Sequence, residues 1–536
     1  MLRVKTYADT IKYLRPDQLY SQIARRFKSK RKPVINKVPA HREIHLLIPE
    51  LDLDEAYIRR FVPEDIPAGK IHLLNDTYDL AFNDVNKAKM SPLTWYNLQY
   101  FEYAIALACI YRKTKDQRYV DSFERAYSDF LAADLPYASY VISLQIPNVM
   151  IALEIFDNAV STKTRDLIHA EIYRQYKYLS SHLETYLLGN HYFENLKALI
   201  IASYYFGDDR ECRKYIEKLK IQTKEQILED GMHFELSPMY HKIILEDLLR
   251  VHCIKDFGIS EWICPVIQKM TDALAALENG ISRTPLFNDS GDNVAKTAKA
   301  LLEAANVRCH ITPQPTAALE EAKYYRLESN GAVLLVDGGR IGPDYMPGHG
   351  HSDCLSFELF IHGIPVAVNS GTYQYQGEQR KYFRSARAHN TVTMDDHEQS
   401  QCWGEHRVAK RIRNVKSHSD GRTFRGEYEN YYGQRHKRII QLENDRVSVT
   451  DETQGAHEVK SYLRIPGCFT LSEDLEVKDM NGSRLCRIQP QNCEARIISE
   501  GDMTQYAPEF GMLEKCCCIE FFWKEDGCSH GYQILL

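Results

Sequence analysis

Two histidines one residue apart, in Gly348-His349-Gly350-His351-Ser352-Asp353, open a run of reactive residue types that closes near Asn390. Asn369 follows inside an apolar, strand-like stretch, and Arg384, Arg387, His389 and Asn390 end the run. In an extended segment the His349 and His351 side chains share one face, because strand side chains repeat every second residue; in a turn they diverge. Imidazoles placed this way serve as proton carriers or metal donors. His351, Asn369 and His389 offer nitrogen and oxygen ligands, yet their spacing matches no compact metal motif. On spacing alone, a turn with ordinary hydrogen bonds is the plainer account.

Two further groups precede this run. Gly189-Asn190-His191-Tyr192-Phe193-Glu194-Asn195 begins a helical stretch. Asn190 there is either an N-cap, with Glu194 near the positive helix end, or a hydrogen-bond donor beside a proton-exchanging His191. In Glu235-Leu236-Ser237-Pro238-Met239-Tyr240-His241, Ser237 is a candidate N-cap and Pro238 a first helical residue. Tyr240 then lies in the first turn, where the helix dipole favours the phenolate that a tyrosine base needs. A free phenol titrates near ~10, so a cationic neighbour is needed as well, and without one Tyr240 is a packed tyrosine.

These groups must be brought together by a large scaffold. The chain has 536 residues, 44% hydrophobic and 26% charged, which are globular values for two or three domains. Its net charge of -6 argues against a nucleic-acid binder, although Arg380, Lys381, Arg384 and Arg387 make a local basic strip. No signal peptide and no bilayer-spanning apolar segment are read, and the fourteen scattered cysteines read as reduced thiols. A cytoplasmic location follows, or export from a longer precursor; oligomeric state is not legible. A basic run, Arg25, Arg26, Lys28, Lys30, Arg31 and Lys32, reads as a solvated helix end.

Residues 1–90 are mixed. Over 91–318 apolar residues recur at helical spacing, as in Ile243, Leu245, Leu248, Leu249 and Val251, and short connections favour a stack or ring of antiparallel helical hairpins. Segments such as Tyr96–Arg112, Asp116–Leu131 and His191–Phe206 are expected helices. Thr312-Pro313-Gln314-Pro315-Thr316 is a linker, and over 319–536 the period shortens to that of antiparallel strands, indicating a sandwich. The fold class is therefore a multidomain α+β protein.

Taken jointly, several strings resemble the heparinase II/III-like polysaccharide lyases. They are Trp95-Tyr96-Asn97-Leu98-Gln99-Tyr100-Phe101, Asn190 to Asn195, His233 to His241, Gly348 to Asp353, Gly371-Thr372-Tyr373, and Phe383-Arg384-Ser385 through Asn390-Thr391-Val392. The resemblance implies an incomplete α/α toroid followed by antiparallel β-sheets, with the active cleft between them. It implies β-elimination on a uronic-acid polymer, with glycosaminoglycans such as hyaluronan, chondroitin or heparan sulfate ahead of alginate. Asn190 and His191 would then neutralise the uronate carboxylate, and Tyr240 and His349 would supply base and acid, in an order that depends on the face from which C5 is approached; with glucuronate-type geometry Tyr240 alone would serve as both. Trp95, Tyr96, Asn97, Glu194 and Glu235 would line the sugar cleft, with Arg384 and Arg387 binding carboxylate or sulfate. His351, Asn369 and His389 would hold a divalent metal, Zn²⁺ or Mn²⁺, although the family commonly has Asp where this chain has Asn369. Two other classes remain open: a non-catalytic binding or capsule-assembly protein, and a toroid glycoside hydrolase using two of Glu194, Glu235 and Asp353.

Overall fold

The computed structural model describes residues 2–524 and 528–536. The fold class expected from the sequence is the one observed: helices dominate up to Cys309, and from Ala318 onward antiparallel strands take over. Helices Glu102–Thr114, Ser139–Phe156, Gly189–Tyr205 and Pro238–His252 pack against one another in succession. Their residues are buried on nearly every side, whereas Gln117–Ala132, packed outside them, is strongly one-sided, with Tyr119, Val120, Phe123, Tyr127 and Phe130 turned inward. An all-round apolar helix is what the inner layer of a two-layer helical wall requires.

That requirement overturns one reading of the sequence. Ser139–Ala159 is long and apolar enough to cross a bilayer, but 72% of its apolar window is buried inside the helical core. The expected Tyr96–Arg112 helix is also two helices, Pro92–Tyr100 and Glu102–Thr114, broken at Phe101 with φ 58°. The break swings the Phe101 ring onto Phe82, Tyr103, Tyr127 and Phe130.

The strands form a five-stranded meander from Ala318–Leu319 to Ile364–Ala367, an eight-stranded sheet, and a further five-stranded sheet through Val392–Met394, Val459–Pro466 and Glu514–Trp523. Their facing sides share one core that includes Leu327, Phe357, Phe424, Ile440, Leu463, Ile519 and Phe521. In Glu514–Trp523, Cys516 and Cys518 fall on the buried side and Cys517 is only half-buried, as strand alternation demands. The helical and sheet parts meet along the loop between Glu278 and Ala298: the Leu286 N–H donates to the Glu358 carboxylate, and the Asp289 N–H to the His349 carbonyl.

Candidate active site

Asn190 sits in the first turn of Gly189–Tyr205 without capping it. Its backbone N–H donates to Glu235 Oε1 and its Nδ2 to Glu235 Oε2, both at 2.9 Å. This two-point clamp needs Gly189, whose φ is +55° and where an added Cβ would come within 2.3 Å of Glu235 Oε1. Nδ2 also lies 3.2 Å from His349 Nε2, so the clamp points one amide proton at the histidine of the other domain. Glu235 is 2% exposed and positions Asn190; it does not line the cleft as a sugar contact.

Ser237 caps the next helix as expected, accepting the Tyr240 N–H at 3.2 Å. The Tyr240 ring lies 4.0 Å from the His349 ring, and its hydroxyl meets that of Tyr375 at 2.8 Å. Burial raises the Tyr240 phenol pKa, while the Tyr375 hydrogen bond opposes this. The free protein thus keeps Tyr240 protonated. His191 is half-buried on the cleft wall, against Tyr140, with Nδ1 3.3 Å from Glu184. Burial opposes its protonation, but Glu184, joined by the more distant Glu235 and Glu194, outweighs that and raises the His191 pKa.

Asp289 is the hub that the sequence did not reveal. His349 Nδ1 is 2.9 Å from Oδ2, His351 Nε2 is 2.8 Å from Oδ1, and Thr372 Oγ1 donates to Oδ1 at 3.1 Å. Arg380 donates to both oxygens, with Nη2 2.8 Å from Oδ2. Burial alone would raise this carboxyl's pKa; Arg380 and the two imidazoles overcome that and hold it well below the usual range. With Nδ1–H donated to Asp289, His349 carries its lone pair on Nε2, facing Asn190. Gly350 separates the two histidines because a Cβ there would meet the Ile341 carbonyl at 1.9 Å.

Several other expected contacts fall elsewhere. Trp95 is 6% exposed and packs on Phe82 in the helical core, because it occupies the inward face of Pro92–Tyr100; Tyr96, on the opposite face, does line the cleft. Asn97 and Glu194 line a pocket of about 130 Å³ that adjoins the cleft and shares Leu93, Tyr100, Tyr140, Tyr240 and Tyr375 with it; there Lys197 bridges Glu194 and Asp247. Arg384 is buried and donates to the Gly350 carbonyl at 2.9 Å and the Glu405 carbonyl at 3.1 Å. Arg387 is exposed beside Tyr382 and outside the cleft. Arg384→Ala is therefore expected to lower folding stability by at least about 2 kcal/mol, and Arg387→Ala to stay within about 0.5 kcal/mol of wild type, in denaturant melts.

His351 Nδ1 and His389 Nε2 are 3.3 Å apart, and Asp353 completes a buried group able to surround one ion. Two nitrogens at ~2.0–2.1 Å from a tetrahedral ion sit about 3.3 Å apart, so the pair fits. Burial lowers both imidazole pKa values, His351 to about 4, so each ring is neutral and keeps one unprotonated nitrogen; His389 Nε2 also lies 3.1 Å from the Phe383 carbonyl, so its ligation requires the proton on Nδ1. Asn369 is committed differently: its Oδ1 accepts the Asn390 N–H at 3.0 Å, and its Nδ2 faces Ser356. Asp353, and not Asn369, is the residue that lies within reach of both histidines. It and Glu235 and Glu194 are each tied into local networks, so no two of them oppose one another across the cleft as a hydrolase pair requires.

A helical wall and a stack of antiparallel sheets, joined through Asn190, Tyr240, His349 and Asp289 at one cleft, define a two-part protein whose site exists only in the assembled whole. Residues 75–308 match the heparinase II/III N-terminus family and residues 311–514 the heparinase II/III-like C-terminal family. The chain belongs to the heparinase II/III-like family. A heparin-sulfate lyase of Pedobacter heparinus is 24% identical over 339 residues, 54% of this chain and 50% of that protein. A heparin-sulfate lyase of Bacteroides stercoris is 24% identical over 304 residues, 50% of this chain and 44% of that protein. The matched stretches thus span about half the length of these relatives. The crystal structure of heparinase III superimposes with a TM-score of 0.67 at 15% identity, covering 97% of this chain and 89% of that one, which is a likeness of fold.

Proposed function

We propose that the protein is a polysaccharide lyase that cleaves a uronic-acid-containing glycosaminoglycan by β-elimination. The observation that carries this reading is the buried meeting of Asn190, His349 and Tyr240 across the two domains, with Asn190 Nδ2 3.2 Å from His349 Nε2. The heparin-sulfate lyase activity named for its relatives supports it.

The chemistry follows from the protonation states. The uronate carboxylate replaces His349 Nε2 as acceptor of one Asn190 Nδ2 proton and accepts a second hydrogen bond from His191, whose charge Glu184 favours; this acidifies the C5 proton and frees the His349 lone pair. His349 Nε2 removes that proton, and the electron pair forms the C4–C5 double bond as the C4–O bond breaks. Tyr240, protonated in the free protein and hydrogen-bonded to Tyr375, gives its proton to the departing oxygen. No water is consumed. A panel of uronate polymers assayed for the ultraviolet absorbance of the unsaturated product tests the reading. New reducing ends without absorbance would instead identify a hydrolase, and binding without either product would identify a carbohydrate-binding protein.

His351, His389 and Asp353 would hold a divalent metal, which supplies a fixed charge ordering His351 and the Asp289 it touches. Elemental analysis of purified protein is expected to find about one Zn²⁺ or Mn²⁺ per chain in wild type and a loss of at least tenfold in His389→Ala. Equal metal content in the two proteins would count against these ligands.

A further inference from the structure

We infer that the basic segment from Arg25 to Lys30 is a subsite for the anionic groups of the polymer, built into the wall of the cleft and continued on the sheet side by Arg407. The inference rests on the lyase reading and adds a specificity: sulfated glycosaminoglycan over an unsulfated uronate chain.

The cleft that holds Tyr240, His349 and His191 has a volume of about 1140 Å³, and its lining includes Arg25, Arg26, Lys28, Lys30, Arg407 and Arg411. Among the described residues only two carboxylates, Glu184 and Asp344, line it, so six cations against two anions give +4 in a chain whose total is -6. Both carboxylates are already engaged. Glu184 faces His191 at 3.3 Å and accepts from Asn195 at 3.1 Å, and Asp344 pairs with Arg411 at 2.7 Å. Arg25, Arg26, Lys28, Lys30 and Arg407 have no carboxylate partner among the described residues. A concave surface carrying one sign of charge concentrates its field in the cleft and draws in an oppositely charged ligand.

The segment is fastened in place, not left as a solvated helix end. Lys28 Nζ donates to the Ser181 carbonyl at 2.7 Å, His182 Nε2 is 2.8 Å from the Ser29 carbonyl, and the Arg25 guanidinium lies 4.1 Å from the Tyr186 ring centroid. These contacts tie it to the helical wall. The first helix of the chain, Leu2–Ile11, which Pro16–Ala24 separates from the basic segment, reaches the sheet side: Thr10 Oγ1 accepts from Trp403 Nε1 at 2.9 Å, and the Arg407 guanidinium lies 5.1 Å from the Trp403 ring centroid. The N-terminal elements thus connect both lips of the cleft and present their cations to it.

The charge count selects the ligand. Elimination requires one carboxylate at Asn190 and His191, and five further unpaired cations exceed what a chain with one carboxylate per disaccharide brings to a single position. Sulfate groups on neighbouring sugars supply the additional anions, and both guanidinium and ammonium groups bind them through charge-assisted hydrogen bonds.

The test compares heparan sulfate with the same polymer after chemical desulfation, using wild type and an Arg25→Ser/Arg26→Ser/Lys28→Ser/Lys30→Ser variant. On the sulfated polymer kcat/KM is expected to fall about tenfold or more, through KM with kcat nearly unchanged; on the desulfated polymer the change is expected to stay under about threefold. The salt dependence of KM should flatten in the variant. Arg26→Gln/Lys30→Gln, which leaves the Lys28 and Arg25 contacts in place, should lose in the same direction with unchanged thermal melting. Equal losses on the two polymers, or none on the sulfated one, would overturn the subsite. If wild type turns over no polymer, the lyase reading fails separately, and the salt needed to elute each protein from immobilised heparan sulfate decides the subsite: a lower value for the variants supports it, and an equal one overturns it.

Discussion

Tyr240→Phe is expected to lower kcat about 10²- to 10⁴-fold, the range a positioned general acid supplies, while KM and thermal stability stay near wild type. The ring is what packs: it lies 4.0 Å from the His349 ring centroid and belongs to a small apolar cluster with Met239, Tyr375 and Phe510. Phenylalanine keeps that surface and removes only the hydroxyl. The hydroxyl's one hydrogen bond is to Tyr375, so its loss leaves one tyrosine hydroxyl beside the cleft rather than a buried charge. The stability cost should therefore be on the order of 1 kcal/mol. Tyr375→Phe removes a group that touches Tyr240 and is expected to reduce kcat less. Single-turnover rates of product absorbance separate chemistry from release. Turnover by Tyr240→Phe within about threefold of wild type would remove Tyr240 from the reaction.

How much of this was legible in the sequence depends on the separation of the partners. The Gly348-His349-Gly350-His351 turn, Asn190 and Tyr240 each lie in a local pattern, a helix start or a glycine-flanked turn, that short-range chemistry makes readable. Asp289 does not. Asn288-Asp289-Ser290-Gly291 reads as an ordinary turn between helices, and its partners His349 and Arg380 lie 60 and 91 residues further on. Nothing in spacing encodes such a contact. The basic strip failed for a related reason. Arg380 and Arg384 are four residues apart, so the helix Gly377–Phe383 and its end carry both inward, one to Asp289 and one to backbone carbonyls. Charge alone suggested the surface, and the i,i+4 spacing was the signal that they share a face. The same bias toward treating charge as solvated hid the placement of Arg25 to Lys30, whose contacts are supplied by Ser181, His182 and Tyr186 far along the chain. Among strands, apolar runs such as Ala332–Asp337 are legible one by one, while Arg413–Ser419 and Thr423–Glu429 are not, because polar residues alternate through both.

Asp289→Asn should be the most damaging conservative change in the molecule, lowering kcat/KM about 10³-fold or more and destabilising the fold by about 3–5 kcal/mol. The amide occupies nearly the same volume and can still accept one hydrogen bond, so packing is preserved and the effect isolates the charge. Arg380 then lies buried at 1% exposure with no carboxylate partner, which is the costly case for an ion pair. An Nδ2 group facing His349 Nδ1 would also force the imidazole to carry its proton on Nε2, the nitrogen that must accept the C5 proton. Activity and stability thus fall for two separable reasons. The pH dependence distinguishes them. Asp289 has a folded pKa held well below its unfolded value of ~3.9, so its stabilising contribution is fully present above ~3.9 and is lost as pH falls through the lower folded value. The stability gap between wild type and Asp289→Asn should be constant through neutral pH and narrow below about pH 4. A gap that instead persists undiminished in acid would show that Asp289 acts through shape and not through its charge, and the His349 orientation would then need another source.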